Sequence, residues 1–383
     1  MKSVFAGRTA FFLSESTAPR VSFGEDCEPA LKTFVLKKVN TLCGAGAAGA
    51  GGGAAGEAAF PVAQPLSFRR STLPELLQHE DAFLVSLKSD GARAMLLLTR
   101  DWAGTPISVI VTRDLRVSHV EVWAPDPFFD DTLLDAEVVV ETGEDGEAAQ
   151  VFLVFDAFVV EGKSLLLDTY DRRVAIVSSV VAETLAISGS DEELLELHRV
   201  HIPSHVGLAL RAKRVDRMAS VAETWRSRTT TPHANDGLIF TSNTTHFGGA
   251  KVLKWKPCPT VDVFVKRNVA NAVFAANAKR IEKLVVERKA YEVDLRKNEL
   301  VDAHFAKPSS ENVIVAECAI DVNEGLGRIT LSPIRLRPDK KTPNSIFVLK
   351  ETVLNHIENV TVGEFVSRHR HTQSLAPTVK KRR

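Results

Sequence analysis

The sequence has no net charge: 48 lysines and arginines are matched by 48 aspartates and glutamates. That balance excludes a wholly basic nucleic-acid coat and leaves any nucleic-acid contact to a local patch. Cysteine is scarce. Cys27, Cys43, Cys258 and Cys318 are scattered and form no CxxC pair, so neither a zinc site nor a disulfide framework is predicted. Reduced thiols of an intracellular protein are the expectation. No apolar run approaches the length of a membrane span. Gly7 and Arg8 break the stretch MKSVFAGRTAFFLSES, which does not read as a secretory signal; an organellar transit peptide stays open. There is no internal repeat.

The 383 residues suffice for two or three domains, and 44% hydrophobic with 25% charged residues is an ordinary globular balance. Helical spacing of Leu31, Phe34, Val35, Val39 and Leu42 predicts a helix over 28–42. The tract CGAGAAGAGGGAAGEAA that follows cannot bury a core and reads as a flexible insertion over 44–59. LPELLQHE is a short helix. AFLVSLK and RAMLLLTR are two buried strands joined by the turn Ser89–Ala92, and PISVIVTR, HVEVWA, LLDAEVVVE and QVFLVFDAFVV are further strands, the last two linked by the hairpin chemistry of TGEDGEAA. Helical periodicity returns over 170–186 and 191–199, then strands at ALRAKRV, DGLIFTS and VLKWK. Pro257 and Pro259 mark a composition shift. Beyond them VDVFVK, AYEVDLR, VIVAECAID and ITLSPIRLR read as strands of a small barrel, with a helical insert over 269–286 and a closing helix at SIFVLKETVLNHI.

The chemistry centres on LVSLKSDGAR. A lysine can act on phosphorus when its amine is neutral and aimed, and Lys88 stands at a strand end before a turn in which Gly91 allows a backbone conformation that other residues resist. Arg93 on the next strand is placed to hold a sugar or phosphate. Equally, the segment could be an ordinary hairpin with charged flanks. In VLKWKP, strand alternation puts Lys254 and Lys256 on one face and Trp255 on the other, either around an anion or as a solvent-facing pair. IRLRPDKK gathers Arg337, Asp339 and Lys340 just past a strand, a concentration of cations suited to a triphosphate or a leaving pyrophosphate. Asp135, Glu137 and Asp236 are carboxylates at strand ends, which suit magnesium or serve as turn residues.

In this order the segments resemble the covalent nucleotidyltransferases, the GTP-dependent messenger-RNA capping enzymes and ATP-dependent polynucleotide ligases. KSDGAR resembles the nucleotidyl-lysine motif I, LLDAE motif III (with alanine where glycine is usual), FLVFDAF motif IIIa, DGLIF motif IV, VLKWK motif V and IRLRPDK motif VI. The aspartate that opens DGLIF, the run KWKP–TVDVF, the ending RLRPDKKTPN and the proline-glutamine-proline segment FPVAQPLSFRR are similar to the capping branch. An ATP-dependent DNA or RNA ligase using a lysyl-AMP intermediate is the alternative.

The resemblance implies an α+β nucleotidyltransferase domain over 25–258, with ATP-grasp-like antiparallel sheets and helices. An OB-fold domain over 259–365, hinged at Pro257–Pro259, would follow it, between an N-terminal extension over 1–24 and a basic tail over 366–383. It implies an mRNA guanylyltransferase: Lys88 attacks GTP, a lysyl-GMP forms, and GMP passes to the 5′-diphosphate end of RNA. Arg93, Arg113 and Glu137 would contact sugar or phosphate, Phe155 would stack on the base, and Lys254 and Lys256 would hold the α-phosphate. Arg337, Asp339 and Lys340 would orient the β- and γ-phosphates. Asp236, with Glu137, would bind Mg²⁺ or Mn²⁺. A signature of the HCxxGxxR type and a methyltransferase glycine motif are both missing, so a separate RNA 5′-triphosphatase and cap methyltransferase are expected partners, with RNA polymerase II as recruiter, no membrane, and a nuclear location. The residues that choose guanine over adenine do not follow from spacing.

Overall fold

The computed structural model describes residues 26–44, 60–62, 64–78, 81–120, 122, 124–142, 148–188, 209–244, 250–267, 273–274, 276, 280–307, 311–338 and 340–366. The Gly/Ala tract from 45, the turn at 143–147, the helical stretch at 191–199, the N-terminal extension and the basic tail from 367 fall outside them. The chain forms two compact units. Leu73–Trp255 is the body of the larger, joined by the described parts of Pro19–Leu66 and Val362–Arg383; Lys256–Thr361 with Ser67–Thr72 makes the smaller. The described structure mixes helices with mainly antiparallel sheets.

In the larger unit, α1 (Pro29–Leu42) begins with proline at its first turn, where a missing N–H costs nothing. Its Leu31, Val35 and Val39 repeat every four residues and are buried. The strands are β1 (Leu66–Ser67), β2 (Phe83–Ser89), β3 (Ala92–Arg100), β4 (Pro106–Thr112), β5 (Val117–His119), β6 (Thr132–Thr142), β7 (Ala148–Val160), β8 (Lys163–Ser164), β9 (Ala209–Ala212), β10 (Asp216–Arg217), β11 (Asn235–Ser242) and β12 (Val252–Trp255). They build two sheets. One runs β5-β4-β3-β6-β7-β8, with β9 added parallel to β7; the other runs β1-β12-β11-β2-β10. Helices α2 (Leu73–Gln78), α3 (Tyr170–Ser188) and α4 (Val221–Ser227) complete the unit.

The first sheet is buried on both faces, which explains why RAMLLLTR is apolar without alternation. Leu96, Leu98, Leu134 and Phe152 pack with Val177, Val180 and Val181 of α3, whereas Met95, Leu97, Val109 and Leu133 pack under α1. The strands on either side of Lys88 are not a hairpin: β2 pairs with β11 and β10, β3 with β4 and β6, so the chain changes sheets at Asp90–Gly91. Of the expected strand HVEVWA only His119 lies in a strand, as the last residue of β5; Val120, Val122 and Ala124 are buried outside any strand, and residues 121 and 123 fall outside the described residues.

In the smaller unit β13 (Thr260–Lys266), β14 (Val273–Phe274), β15 (Arg280–Ile281), β16 (Lys283–Val286), β17 (Lys289–Leu295), β18 (Val313–Asn323) and β19 (Arg328–Leu336) form one sheet in the order β15-β14-β13-β18-β19-β17-β16. The Val293 N–H donates to Glu282 O at 3.0 Å, bringing β17 to the β15 end, so the sheet is nearly closed and barrel-like. The helix expected over 269–286 is absent among the described residues there; that stretch carries β14, β15 and β16 instead. Leu284 and Val286 are buried while Lys283 and Val285 are exposed, and pairing with β17 overrides the helix-forming composition. Two helices, α5 (Glu299–Ala306) and α6 (Ile346–Glu358), start at side-chain caps: Asn298 accepts from the Leu300 N–H at 2.9 Å, and Ser345 from the Val348 N–H at 3.3 Å.

Candidate active site

Lys88, one residue before the end of β2, pairs with Gly237 on β11. The β2–β11 register slips between Asn235 and Gly237, so Asp236 sits in an irregularity of the kind that re-aims a side chain. Its Oδ1 lies 2.7 Å from Lys88 Nζ, with both side chains partly exposed. Ile239 pairs with both Ser86 and Lys254, and strand alternation therefore puts Lys254 on the same sheet face as Lys88. Lys256 falls in the smaller unit, where its charge helps to hold Glu317 below the usual carboxylate range, after the hydrogen bonds from Thr260 and Arg335, which together outweigh desolvation.

The first sheet brings a second set of charges. Arg93 of β3 pairs with Glu137 of β6, which pairs with Leu153 of β7, which pairs with Arg211 of β9. Asp135 lies two residues before Glu137, and its buried carboxylate grips Arg93 with two bonds, Nε–Oδ1 at 3.1 Å and Nη2–Oδ2 at 2.6 Å. The Arg93 guanidinium stands 5.6 Å from the Phe155 ring centre and 6.0 Å from that of Phe60. Lys213 Nζ is also 5.6 Å from the Phe155 ring. Desolvation pushes the Lys213 ammonium down to about 8; Glu137 opposes this, and Lys88 and Arg93 add to it. Burial raises the Glu137 carboxyl above its ordinary value, against Lys213, Lys88 and Arg93. Arg113, exposed at the end of β4, is lowered first by desolvation and then by Arg93, with Glu137 opposing. Lys88, Arg93, Arg113, Glu137, Lys213 and Phe155 thus share one electrostatic neighbourhood built from both sheets.

Gly91 serves a different purpose from the one the turn suggested. Its φ is not in the left-handed region, but a Cβ there would stand 2.4 Å from Val138 O and 2.9 Å from Glu137 Cγ. The residue is small because the chain crosses directly against β6.

In the smaller unit Arg337 lies 3.6 Å from Asp262 and 3.5 Å from Glu317, and Lys340 is hydrogen-bonded to Asp262. Arg335 and Thr260 also hold Glu317, at 2.6 and 2.7 Å. Asp339 falls outside the described residues. Among the described residues no group of three His, Cys, Asp or Glu side chains is gathered around a metal-sized space. Asp236 lies against Lys88 and Glu137 feels its charge, a sparse carboxylate set that fits an ion taking most of its oxygens from phosphate and water.

Sequence reasoning missed Lys213 and the grip of Asp135 on Arg93. Lys213 stands two residues after Arg211, on the same side of the sheet edge, but ALRAKRV holds three cations and nothing local separates them.

Residues 14–258 match the family described as mRNA capping enzyme, catalytic domain. The chain belongs to this capping enzyme family. The mRNA-capping enzyme subunit alpha of Neurospora crassa is 33% identical over 212 residues, covering 51% of this chain and 50% of that protein. The subunit of the same name in Schizosaccharomyces pombe is 28% identical over 331 residues, covering 78% of this chain and 77% of that one. The chain thus spans about half the length of the Neurospora relative and of the Yarrowia lipolytica one, at 51%. Among solved structures, mycobacterial DNA ligase D complexed with ATP and MES aligns over 73% of this chain and 95% of its own, at 15% identity with a TM-score of 0.36.

Proposed function

We propose that this capping-family chain is an mRNA guanylyltransferase that works through a covalent lysyl-GMP. The observation that carries the proposal is Lys88, held 2.7 Å from Asp236 on the sheet face it shares with Lys254 and within electrostatic reach of Glu137 and Lys213. Lys88 Nζ attacks the α-phosphorus of GTP, the N–P bond forms, and the bond to pyrophosphate breaks. The ammonium must first lose a proton, and the Asp236 carboxylate is within reach to take it. Lys254 steadies charge on the transferring phosphoryl. In the second step an oxygen of the RNA 5′-diphosphate attacks that phosphorus and the N–P bond breaks, freeing Lys88. Mg²⁺ or Mn²⁺, held by Asp236 with phosphate and water oxygens, would draw charge from the phosphates.

The preference for GTP over ATP finds support in Lys213. A base stacked on Phe155 would bring an edge near this ammonium, which stands over the ring 5.6 Å from its centre. Guanine offers that edge a carbonyl acceptor, whereas adenine offers an amino donor that an ammonium repels. Arg93, oriented by Asp135, is left to the ribose or a phosphate. The nearly closed sheet of the smaller unit is assigned an OB-fold, and Arg337 and Lys340 are kept as contacts for the nucleotide phosphates. A separate 5′-triphosphatase and methyltransferase, recruitment by RNA polymerase II and a nuclear location complete the proposal.

The test is incubation with Mg²⁺ and α-labelled GTP or ATP, followed by denaturing electrophoresis beside Lys88→Met. Label retained from GTP, labile to acid and lost in the variant, is expected. Label from ATP would make the protein a ligase, and no label would end the covalent mechanism.

A further inference from the structure

Beside the nucleophile runs a chain of side chains that the proposed chemistry does not use. Ser89 Oγ lies 3.1 Å from His233 Nε2, and His233 Nδ1 lies 3.0 Å from Glu141 Oε1. Arg211 Nη1 donates to both oxygens of Glu141, at 2.8 and 2.7 Å. His233 and Glu141 side chains are each 9% exposed, and Ser89 is buried. A carboxylate held by Arg211 can only accept, so His233 carries its proton on Nδ1 and its Nε2 accepts from the Ser89 hydroxyl. Burial keeps the ring below its ordinary value against the pull of Glu141, consistent with that neutral form.

A serine, a histidine and a carboxylate in a row can also activate a serine nucleophile. Here Ser89 is buried at a strand end whose neighbour Asp90 donates its N–H to Ala234 O at 2.8 Å, and the hydroxyl is spent on the histidine.

Placement gives the row its meaning. Ser89 follows Lys88 directly, and His233 precedes Asp236 by two intervening residues; both belong to the β2–β11 side. Glu141 and Arg211 stand on β6 and β9 of the other sheet, Glu141 on the same side of β6 as Glu137. The four side chains therefore tie one sheet to the other beside the Asp90–Gly91 crossing. Lys88 and Asp236 come from one sheet, Arg93 and Glu137 from the other, so the spacing between the sheets fixes how far the amine stands from the groups around the nucleotide.

We infer that Ser89, His233, Glu141 and Arg211 form a brace between the sheets, with His233 as a positioning residue that sets Lys88 and Asp236 against Arg93 and Glu137 for phosphoryl transfer. The assignment rests on the guanylyl transfer proposed above. Removing the brace should slow the chemical step without weakening GTP binding in proportion, because a misplacement on the order of 1 Å costs roughly 10²-fold in rate.

The experiment is single-turnover formation of lysyl-GMP by the full chain, across GTP concentrations, for wild type, Ser89→Ala, His233→Ala and His233→Gln, with the thermal midpoint of each. Ser89→Ala and His233→Ala should lose about tenfold or more in maximal rate with half-saturation changed less than about threefold. His233→Gln, whose amide oxygen can accept from Ser89, should recover part of the rate, and Ser89→Ala should keep its midpoint. An unchanged rate in Ser89→Ala and His233→Ala overturns the brace while leaving guanylyl transfer intact. So does a rate loss that only follows the thermal midpoint, with no recovery in His233→Gln. If wild type forms no lysyl-GMP, the proposed function falls and the brace falls with it.

Discussion

Lys88 Nζ and Asp236 Oδ1 stand 2.7 Å apart, joined across two strands by a slip in register. Replacing Asp236 with asparagine keeps the shape and removes both the proton acceptor and the charge proposed to hold the metal. Single-turnover formation of lysyl-GMP should fall by roughly 10²-fold or more, the usual scale for a lost general base. A fall of less than tenfold would show that the proton leaves by another route.

Desolvation, with Lys88 and Arg93 adding to it and Glu137 and Asp135 opposing, pushes the Lys213 ammonium down to about 8, below an ordinary lysine. Its positive charge is therefore present below that value and lost as the pH rises through it. Discrimination of GTP over ATP should weaken across that window in wild type. In Lys213→Met it should be low and flat, reduced by roughly tenfold or more, as for a hydrogen bond from a charged donor. Competition of the two labelled nucleotides at several pH values reads both effects.

Gly91→Ala drives a methyl group toward the Val138 carbonyl, a backbone atom that cannot turn aside. Overpacking of this kind costs about 1–3 kcal/mol or more. The variant should unfold at lower urea and lose activity in step, measured by fluorescence and lysyl-GMP yield. Unaltered stability would mean that the crossing can relax.

Arg173 is buried and grips the buried Asp156 through Nε–Oδ1 at 2.7 Å and Nη2–Oδ2 at 3.0 Å. Arg173→Met leaves a carboxylate stranded and should destabilise the protein by about 3–5 kcal/mol. The double variant with Asp156→Leu should recover much of it. Equal loss in both would assign the effect to packing.

Folding holds His233 below its ordinary value of 6.5, since burial outweighs Glu141 while Lys213 and Arg211 push the same way. The unfolded chain then binds this proton more readily, so stability is whole above about 6.5 and declines as pH falls through the folded value. Urea unfolding at about pH 7.5 and 5.5 should show a steeper loss in wild type than in His233→Gln, and identical slopes would contradict it.

Much of the strand content was legible because strongly periodic or continuous apolar runs admit few alternatives. The helix at 29–42 was equally clear, its buried positions four apart. The segment 269–286 was not, since its alanines and lysines suit a helix while pairing with β17 decides otherwise. Lys88, Arg93, Glu137 and Asp236 could be named from strand ends and turns, whereas Phe155 came from the capping resemblance, which also ordered the others. Lys213 and His233 could not be. Their partners come from strands distant in the chain, and only the meeting of the two sheets gives either residue a neighbourhood.

Because the chain passes from one sheet to the other within two residues, Lys88 has no local unit of its own to live on. A nucleophile on a hairpin can survive the melting of whatever surrounds it. Here the loss of either sheet releases the amine, and activity becomes a reporter of cooperative folding: inactivation by heat or urea should follow whichever sheet of the larger unit opens first, with no partly folded species left able to take GMP.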